Sequence, residues 1–155
     1  MVQPRDGAHL PVTSFKEIHL GTPEYKASLQ LREAVLRAPL GLSLTEDELA
    51  DEPHCAHLGG FDGAGRLVAI LLLKPLNAHT VKMRQVAVQP GLQGGGIGAK
   101  LVAFAEAFAS ERGFKTMMAH ARGTAVEFYL GLGYASSGEP FIETTIPHIL
   151  VSRKL

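Results

Sequence analysis

MRQVAVQPGLQGGGIGA, residues 83–99, joins an apolar strand pattern to a glycine cluster that opens a helix. Residues 81–88 alternate as a half-buried strand does, and apolar side chains recur at helical spacing after residue 97. At such a junction the first backbone N–H groups of the helix are unpaired and lie at the positive end of its dipole. Four glycines within residues 94–98 leave these groups open to a ligand. The stretch therefore predicts a site for a phosphate-bearing molecule.

Two other phosphate-binding loops are rich in glycine, and the sequence separates them from this one. A nucleotide-hydrolysing Walker loop ends in Gly-Lys followed by Ser or Thr, whereas residues 98–101 read GAKL and supply no hydroxyl for magnesium. The spacing of Gly94, Gly96 and Ala99 does fit an NAD-binding loop, but that loop belongs to the first βα turn of a βαβ unit. Here the glycines lie past the midpoint of the chain. An NAD-binding domain stays as an alternative.

Hydrophobic periodicity along the rest of the chain predicts an α+β domain with a single sheet. The longest apolar run, LVAILLL at 67–73, is too short to cross a bilayer, so we expect a buried strand there. We treat residues 1–155 as one domain with a loosely ordered tail at 1–13. The predicted elements, in order, are a strand at 15–20, a helix at 24–37, a short helix after Thr45, three antiparallel strands within 54–88, a helix ending at Gly113, a strand at 115–121, a helix at 123–133, and strands near Phe141 and at 145–153.

These segments together resemble the GNAT superfamily of N-acetyltransferases. Gln93, Gly96 and Gly98 match the family's pyrophosphate loop, and MRQVAVQP at 83–90 is similar to the apolar strand that precedes it. EFYLGLGY at 127–134 resembles the family's Phe-Tyr and Leu-Gly-aromatic signature, and the end of the chain resembles a subgroup of small bacterial members. The resemblance implies a mixed, mostly antiparallel sheet of about six to seven strands flanked by about four helices.

The resemblance also implies the acyl donor, acetyl-CoA, and its contacts. Its pyrophosphate would lie on the loop amides, and its pantetheine arm would pair with the backbone of the preceding strand. Arg122 stands where the subgroup often has Gln, so its guanidinium would suit phosphate instead. The implied cofactor-binding residues are Val86, Ala87, Val88, Gln93, Gly94, Gly95, Gly96, Ile97, Gly98, Ala99, Arg122, Phe128 and Tyr129.

Transfer of an acetyl group to an amine needs two proton movements. The resemblance implies that Tyr129 lies beside the sulfur of CoA, where its hydroxyl would protonate the leaving thiolate. The base that takes the amine proton is not singled out, and its candidates are Glu143, His148, His120 and Glu52. The expected catalytic set is Tyr129, Glu143 and His148.

Composition narrows the partners and the chemistry. Lys plus Arg and Asp plus Glu both number 15 and form no block of like charge, so neither nucleic acid nor membrane is an expected partner. A single cysteine, Cys55, and an N-terminus without leader features favour the cytoplasm. HCAH at 54–57 offers a covalent acyl-cysteine route, which we disfavour because a strand cysteine usually packs as a small apolar residue. No histidine cluster with zinc spacing supports a metal, so none is expected.

The acceptor amine is left open by the sequence. Its site is expected between residues 31–52 and the final strands, since the cofactor would occupy the rest. Arg32 and Arg37 would suit a carboxylate-bearing acceptor, whereas the acidic residues of the same stretch would suit an amine. Those acidic residues are Glu46, Asp47, Glu48, Asp51 and Glu52. A small amine, a peptide N-terminus and a protein lysine are not separated, and a homodimer and a CoA-binding regulatory module without turnover both stay open.

Overall fold

The computed structural model describes residues 11–155 as one seven-stranded sheet with four α-helices. The strands are β1 (Val12–Ile18), β2 (Ala56–Asp62), β3 (Leu67–Pro75), β4 (Thr80–Val88), β5 (Thr116–Arg122), β6 (Ala135–Glu143) and β7 (Ile146–Lys154). The helices are α1 (Pro23–Arg32), α2 (Glu46–Ala50), α3 (Ile97–Glu111) and α4 (Val126–Gly131). The predicted α+β fold with one mixed sheet is confirmed. Of the tail predicted at 1–13, residues 1–10 lie outside the described residues, and β1 begins at Val12, ahead of the predicted start at Phe15.

Both faces of the sheet are covered by helices. One face packs on α3 and α4 and holds the larger apolar core, in which Leu71, Met83 and Leu101 are buried. The other face packs on α1 and the turn that follows it, through Ile70, Leu72 and Leu36 among others. The side chains of β4 and β5 that point away from α3 therefore face the region next to α1 and α2.

The order of the strands is β1-β2-β3-β4-β5-β7-β6, and every neighbouring pair is antiparallel except β4 and β5. That parallel pair is short, because residues 80–83 pair with residues 116–119 and the pairing then stops. β4 continues to Val88 beside β3, and β5 continues to Arg122 beside β7. A gap therefore opens between the C-terminal ends of β4 and β5. This mixed sheet is not the parallel βαβ arrangement that an NAD-binding loop requires.

A bulge in β4 begins this separation. Gln85 and Val86 together stand opposite the single Leu71 of β3, which is the pattern of two residues against one that bends a strand. Gln85 has a φ of 51°, in the left-handed region that residues with a Cβ seldom adopt. β4 therefore turns away from β5 at the point where the parallel pairing ends.

A buried polar network holds Gln85 in this conformation. Arg32 on α1 is fully buried and donates to Oε1 of Gln85 at 2.8 Å and to the carboxylate of Glu52 at 2.6 and 3.1 Å. Glu52 is also fully buried and accepts a hydrogen bond of 2.6 Å from the Tyr25 hydroxyl. Because the opposite charges compensate each other, both can stay in the interior. The network ties α1 and the segment before β2 to the bulge.

This network overturns part of the sequence interpretation. Glu52 is not a candidate base, because its carboxylate is fully buried against Arg32, and Arg32 cannot meet an acceptor for the same reason. The buried face of the first helix also differs from the expected one, since it carries Ser28 and Arg32 in place of Leu29. The helix does stop before residue 38, but its last turn is a π turn at Glu33–Arg37 followed by a 3-10 turn at Ala38–Leu40.

Removal of the charge on Glu52 tests how much the fold depends on this pair. Glu52→Gln keeps the shape of the side chain but leaves Arg32 as an uncompensated buried cation, so we expect a loss of about 3–5 kcal/mol in the free energy of unfolding. Urea denaturation followed by circular dichroism measures it. The matched control is Glu24→Gln, which removes the partner of Lys16 in an exposed pair and should change stability little. Equal losses in the two variants would contradict a special role for the buried pair.

Candidate functional site

A cleft of about 880 Å³ opens where β4 and β5 separate. Its walls come from β4, β5 and β7, from α2 and the turn after α1, and from the start of α4. Lys82, Arg84 and His120 line it from the sheet face next to α1 and α2, whereas Tyr129 reaches it from α4 on the opposite face. The cleft therefore passes through the gap in the sheet and is accessible to groups from both faces.

Tyr129 presents a free hydroxyl to this cleft. The side chain is 5% exposed, and its ring packs edge-on against Phe128 and Tyr134, with centroids 5.1 and 5.5 Å apart. The hydroxyl forms no hydrogen bond with any group in residues 11–155, and burial raises the pKa of Tyr129 to about 12. The hydroxyl therefore stays protonated at neutral pH and can donate a proton or a hydrogen bond.

Glu143 lies between two histidines on the side of the cleft formed by β5, β6 and β7. Its carboxylate is 3.1 Å from Nδ1 of His120 and 3.8 Å from Nε2 of His148. Burial alone would raise the pKa of Glu143. The hydrogen bond from His120 and the nearby positive charges outweigh burial and hold this pKa below its ordinary value. Phe141 packs between the rings, edge-on to His120 at 4.8 Å and stacked on His148 at 6.1 Å. The group is therefore a carboxylate held ionised between two oriented imidazoles.

The hydrogen bonds of the two histidines fix which ring nitrogen carries the proton. A carboxylate and a carbonyl can only accept, so Nδ1–H of His120 donates to Glu143 and Nδ1–H of His148 donates to the carbonyl of Ile146 at 2.9 Å. His120 is one quarter exposed and lines the cleft, which leaves its Nε2 as the free acceptor. His148 is 5% exposed, and its Nε2 is the atom that approaches Glu143.

Charged side chains near α2 occupy the opposite wall. Asp51 bonds to Lys74 at 2.7 Å and to Arg84 at 2.8 Å, and these cations, Lys74 first, hold the pKa of Asp51 below its ordinary value. Arg37 forms a salt bridge with Glu48. Burial lowers the pKa of Lys82, and the carboxylate of Glu143 opposes that effect. Most acidic groups on this wall are thus already paired with a cation.

The glycine loop lies at the end of β4, beyond the residues that line the cleft. Gly94 and Gly96 have φ angles of 85° and 86°, which a side chain would strain, and Gly96 is the N-cap of α3 without any side-chain cap. The first N–H groups of α3 are therefore left for a ligand. The Gln93 side-chain amide donates to the carbonyl of Val88 at 2.9 Å and closes the loop onto the strand.

Residues 22–134 match the profile described as the Acetyltransferase (GNAT) family. The chain belongs to the GNAT acetyltransferase family. The match includes β2 to β5, the glycine loop, α3 and the signature on α4, and it stops at Tyr134. The family that the resemblance of the loop and α4 implied is therefore confirmed. None of the helices within residues 11–155 is long and apolar enough to cross a membrane.

Similar proteins support this placement. An uncharacterised protein of Bacillus subtilis is 30% identical over 77 residues, which is 50% of this chain and 52% of that protein, so the chain spans about half the length of this curated relative. A provisionally assigned N-acetyltransferase of Lactobacillus plantarum has a similar solved structure, with a TM-score of 0.80, 26% identity, and coverage of 92% of this chain and 99% of that chain. A GNAT acetyltransferase of Elizabethkingia anophelis, solved with acetyl-CoA bound, has the same fold, with a TM-score of 0.72 at 17% identity and coverage of 92% and 97%.

In this GNAT family member the residues predicted from the sequence fall into two groups. One group lines the cleft: Val86, Arg122, Tyr129, Glu143, His148 and His120. The other forms the loop and its surroundings at the end of β4, outside the lining of the cleft: Ala87, Val88, Gln93, Gly94, Gly95, Gly96, Ile97, Gly98, Ala99 and Phe128. Phe128 is 37% exposed, and a Cβ added at Gly98 would lie 3.4 Å from its ring, so it covers the first turn of α3 and is not buried between helix and sheet.

The residues of HCAH do not form a second reactive centre. Cys55 precedes β2 and is not in a strand, its Sγ–H points at the carbonyl of Asp51 at 3.6 Å, and burial raises the pKa of its thiol. His57 is buried and donates to the carbonyl of Glu52. Within residues 11–155 no group of three or more metal-ligating side chains is close enough to hold a metal ion.

Several cleft residues were not among the sequence candidates. Lys82 and Arg84 line the cleft from β4, and the alternation of these polar residues with Val81 and Met83 was the available signal for a second, polar face. The position of Lys74 in the cleft is evident only from the structure, because its partner Asp51 lies 23 positions earlier in the chain. Of the five acidic residues expected near the acceptor, Asp47, Glu48 and Asp51 line the cleft.

Proposed function

We propose that this GNAT enzyme transfers an acetyl group from acetyl-CoA to a primary amine by direct attack within a ternary complex. One observation carries the proposal: a protonated, unbonded Tyr129 hydroxyl and the oriented His120–Glu143 pair line the same cleft from opposite faces of the sheet. The reaction needs a proton acceptor on the amine side and a proton donor on the thiolate side, and the cleft has one candidate for each.

The glycine loop suits the diphosphate of acetyl-CoA. Open amides at the start of a 15-residue helix, left-handed glycines and the absence of a side-chain cap on α3 all favour a bound anion. Beyond Met83, β4 has no β5 partner, so the backbone around Val86 is available to pair with the extended pantetheine arm. Acetyl-CoA supplies the reactive acyl thioester, and the chain's own residues then have to manage two protons.

The cluster around Glu143 takes up the proton that the amine must lose. An alkyl ammonium is neutral in only about 1 molecule in 2,500 at pH 7, so a base is needed before its nitrogen can attack. Nε2 of His120 takes that proton, directly or through one water, while Glu143 fixes the ring and stabilises the imidazolium. His148 lies on the other side of Glu143, with Nε2 3.8 Å from the carboxylate, and completes the proposed catalytic set.

Tyr129 protonates the leaving thiolate. As the nitrogen–carbon bond forms and the carbon–sulfur bond breaks, the electron pair of the broken bond leaves on sulfur. The Tyr129 hydroxyl donates its proton to that sulfur and regains one from solvent after product release. Its low exposure and absence of other hydrogen-bond partners support this role, because nothing in residues 11–155 competes for the hydroxyl.

Ligand-dependent stability and thiol release test the donor. A saturating concentration of acetyl-CoA, about 100 times its Kd, should raise Tm by about 5–10 °C, whereas NAD should not. Gly96→Ala strains the left-handed N-cap of α3, so it should cut this shift by half or more relative to its own unliganded Tm. Gly131→Ala, at a helical position with no positive φ and open space, is the matched control and should keep the full shift. Acetyl-CoA binding without CoA release across a broad amine panel would indicate a regulatory module and contradict the proposed transfer.

The role of Tyr129 is testable with a single hydroxyl deletion. Tyr129→Phe should lower kcat about 100-fold while the Kd for acetyl-CoA stays the same, because the ring packing is kept and only the proton donor is lost. Tyr134→Phe is the control, since it removes a neighbouring buried hydroxyl that bonds to Glu106 at 2.7 Å and does not line the cleft. Normal turnover in Tyr129→Phe would remove this residue from the mechanism.

The pH dependence of kcat/KM tests the His120–Glu143 pair. The hydrogen bond from His120 and the nearby positive charges hold the pKa of Glu143 below its ordinary value, so we expect an acid limb of kcat/KM to report protonation of the proposed base. Glu143→Gln removes the negative charge that favours the imidazolium, so the limb should move to lower pH and kcat should fall about 10-fold or more. His120→Asn should abolish the limb, and His79→Asn, in an exposed turn, should leave it in place. An unchanged acid limb in both Glu143→Gln and His120→Asn would exclude the pair as the base.

A further inference from the structure

Two arginine side chains converge on one backbone carbonyl at the inner wall of the cleft. The carbonyl of Leu36 accepts a hydrogen bond from Arg37 at 3.2 Å and another from Arg122 at 2.8 Å. The i+3 donor that a 3-10 turn would offer this carbonyl is missing, because residue 39 is proline. The irregular turn after α1 therefore brings together two guanidinium groups that lie 85 positions apart in the chain.

The charge of this arginine pair is only half compensated. Glu48 neutralises Arg37, but no carboxylate within residues 11–155 forms a salt bridge with Arg122. Arg37 is 6% exposed, and its Nε is buried without a hydrogen-bond partner in the described part of the chain. Burial lowers the pKa of Arg122, and the neighbouring charge of Arg37 lowers it further, although an arginine at such a site remains a cation at neutral pH. Two cations held together with one counter-charge favour the binding of an anion.

We propose that Arg37 and Arg122 form a subsite for a carboxylate carried by the acceptor, so that the natural acceptor is an amine-bearing carboxylic acid. This inference rests on the proposed function, because the acceptor must share the cleft with Tyr129 and His120. A guanidinium offers a planar fork of donors that matches a carboxylate, and the excess positive charge of the pair attracts it. Polyamines and simple alkylamines, which carry no carboxylate, would be poor acceptors.

The position of the pair favours the acceptor over the phosphates of the acyl donor as the source of the anion. Both guanidiniums bond to Leu36, whose side chain belongs to the core on the α1 face of the sheet. The glycine loop leads into α3, which packs on the opposite face. An anion on Arg122 therefore lies on the same side of the sheet as His120 and Glu143, where the amine is expected, and on the other side from the diphosphate loop.

Matched acids and amides test the subsite. Thiol release is measured with acetyl-CoA and a panel of α- and ω-amino acids, each beside its own carboxamide. We expect the preferred acid to exceed its amide in kcat/KM by about 10- to 100-fold, the usual worth of a hydrogen bond to a charged group. The α-amine of an amide is less basic and more often neutral, so intrinsic reactivity works against this preference. Arg122→Gln should bring the acid-to-amide ratio close to one, whereas Arg112→Gln, at an exposed position outside the cleft, should keep it.

A binding measurement keeps the subsite testable apart from turnover. N-acetylated amino acids and their amides are titrated into the CoA-bound protein, and the shift in Tm is recorded. Stabilisation by the acids but not the amides, lost in Arg122→Gln, supports the subsite even if no amine releases CoA, a result that would refute only the proposed function. Equal behaviour of acids and amides, or an unchanged ratio in Arg122→Gln, overturns the subsite and leaves acetyl transfer standing. A tenfold weaker Kd for acetyl-CoA in Arg122→Gln with an unchanged ratio would assign the anion to the donor's phosphate and also overturn it.

Discussion

The buried ion pair between Arg32 and Glu52 is the interaction on which the functional half of this protein depends. A buried pair of this kind is weak evidence for stability, because well-packed apolar residues of the same volume often do as well. What apolar residues cannot supply is a donor for the side chain of Gln85, which sits in a left-handed conformation at the bulge of β4. The pair thus sets geometry: α1, the segment before β2 and the bulge are held in one arrangement, and β4 leaves β5 at a defined point.

The gap that results lets chemistry from the two faces of the sheet meet. In a continuous sheet, Tyr129 on the α4 side and His120 on the α1 side would be separated by a layer of backbone about as thick as the sheet itself. Parallel pairing stops after Met83, and the two side chains then line one cleft. The glycine loop stands at the end of the same strand that bends away. The proposed sites for the acyl donor and the acceptor, and the gap between them, therefore all depend on where β4 bends.

Signals between residues close together in the sequence predicted much of the fold. Contacts between residues far apart in the chain could not be predicted in this way. Thr22 and Thr45 cap α1 and α2, and such caps can be predicted from the sequence because they depend on residues only three positions away. The glycine loop and the signature around Tyr129 are equally local. The burial of Glu52 and Arg32 could not be predicted, because a charged residue is expected to be exposed or functional unless its partner is known. That partner lies 20 positions away, and Gln85 lies 53 positions from Arg32, distances over which periodicity carries no information.

The proposed proton donor, Tyr129, and Glu143, the carboxylate that orients the proposed base, differ in the way the fold sets their charge. Tyr129 is surrounded by apolar and aromatic neighbours, so exclusion of water alone raises its pKa and keeps the proton on the hydroxyl. Glu143 is also partly withdrawn from water, which by itself would raise the pKa of its carboxyl. The hydrogen bond from His120 and the positive charges around it outweigh that effect and keep it ionised. Opposite environments on the two faces of one sheet thus distinguish the proposed proton donor from the proposed base and its carboxylate, and the proposed acyl transfer to an amine requires such a difference.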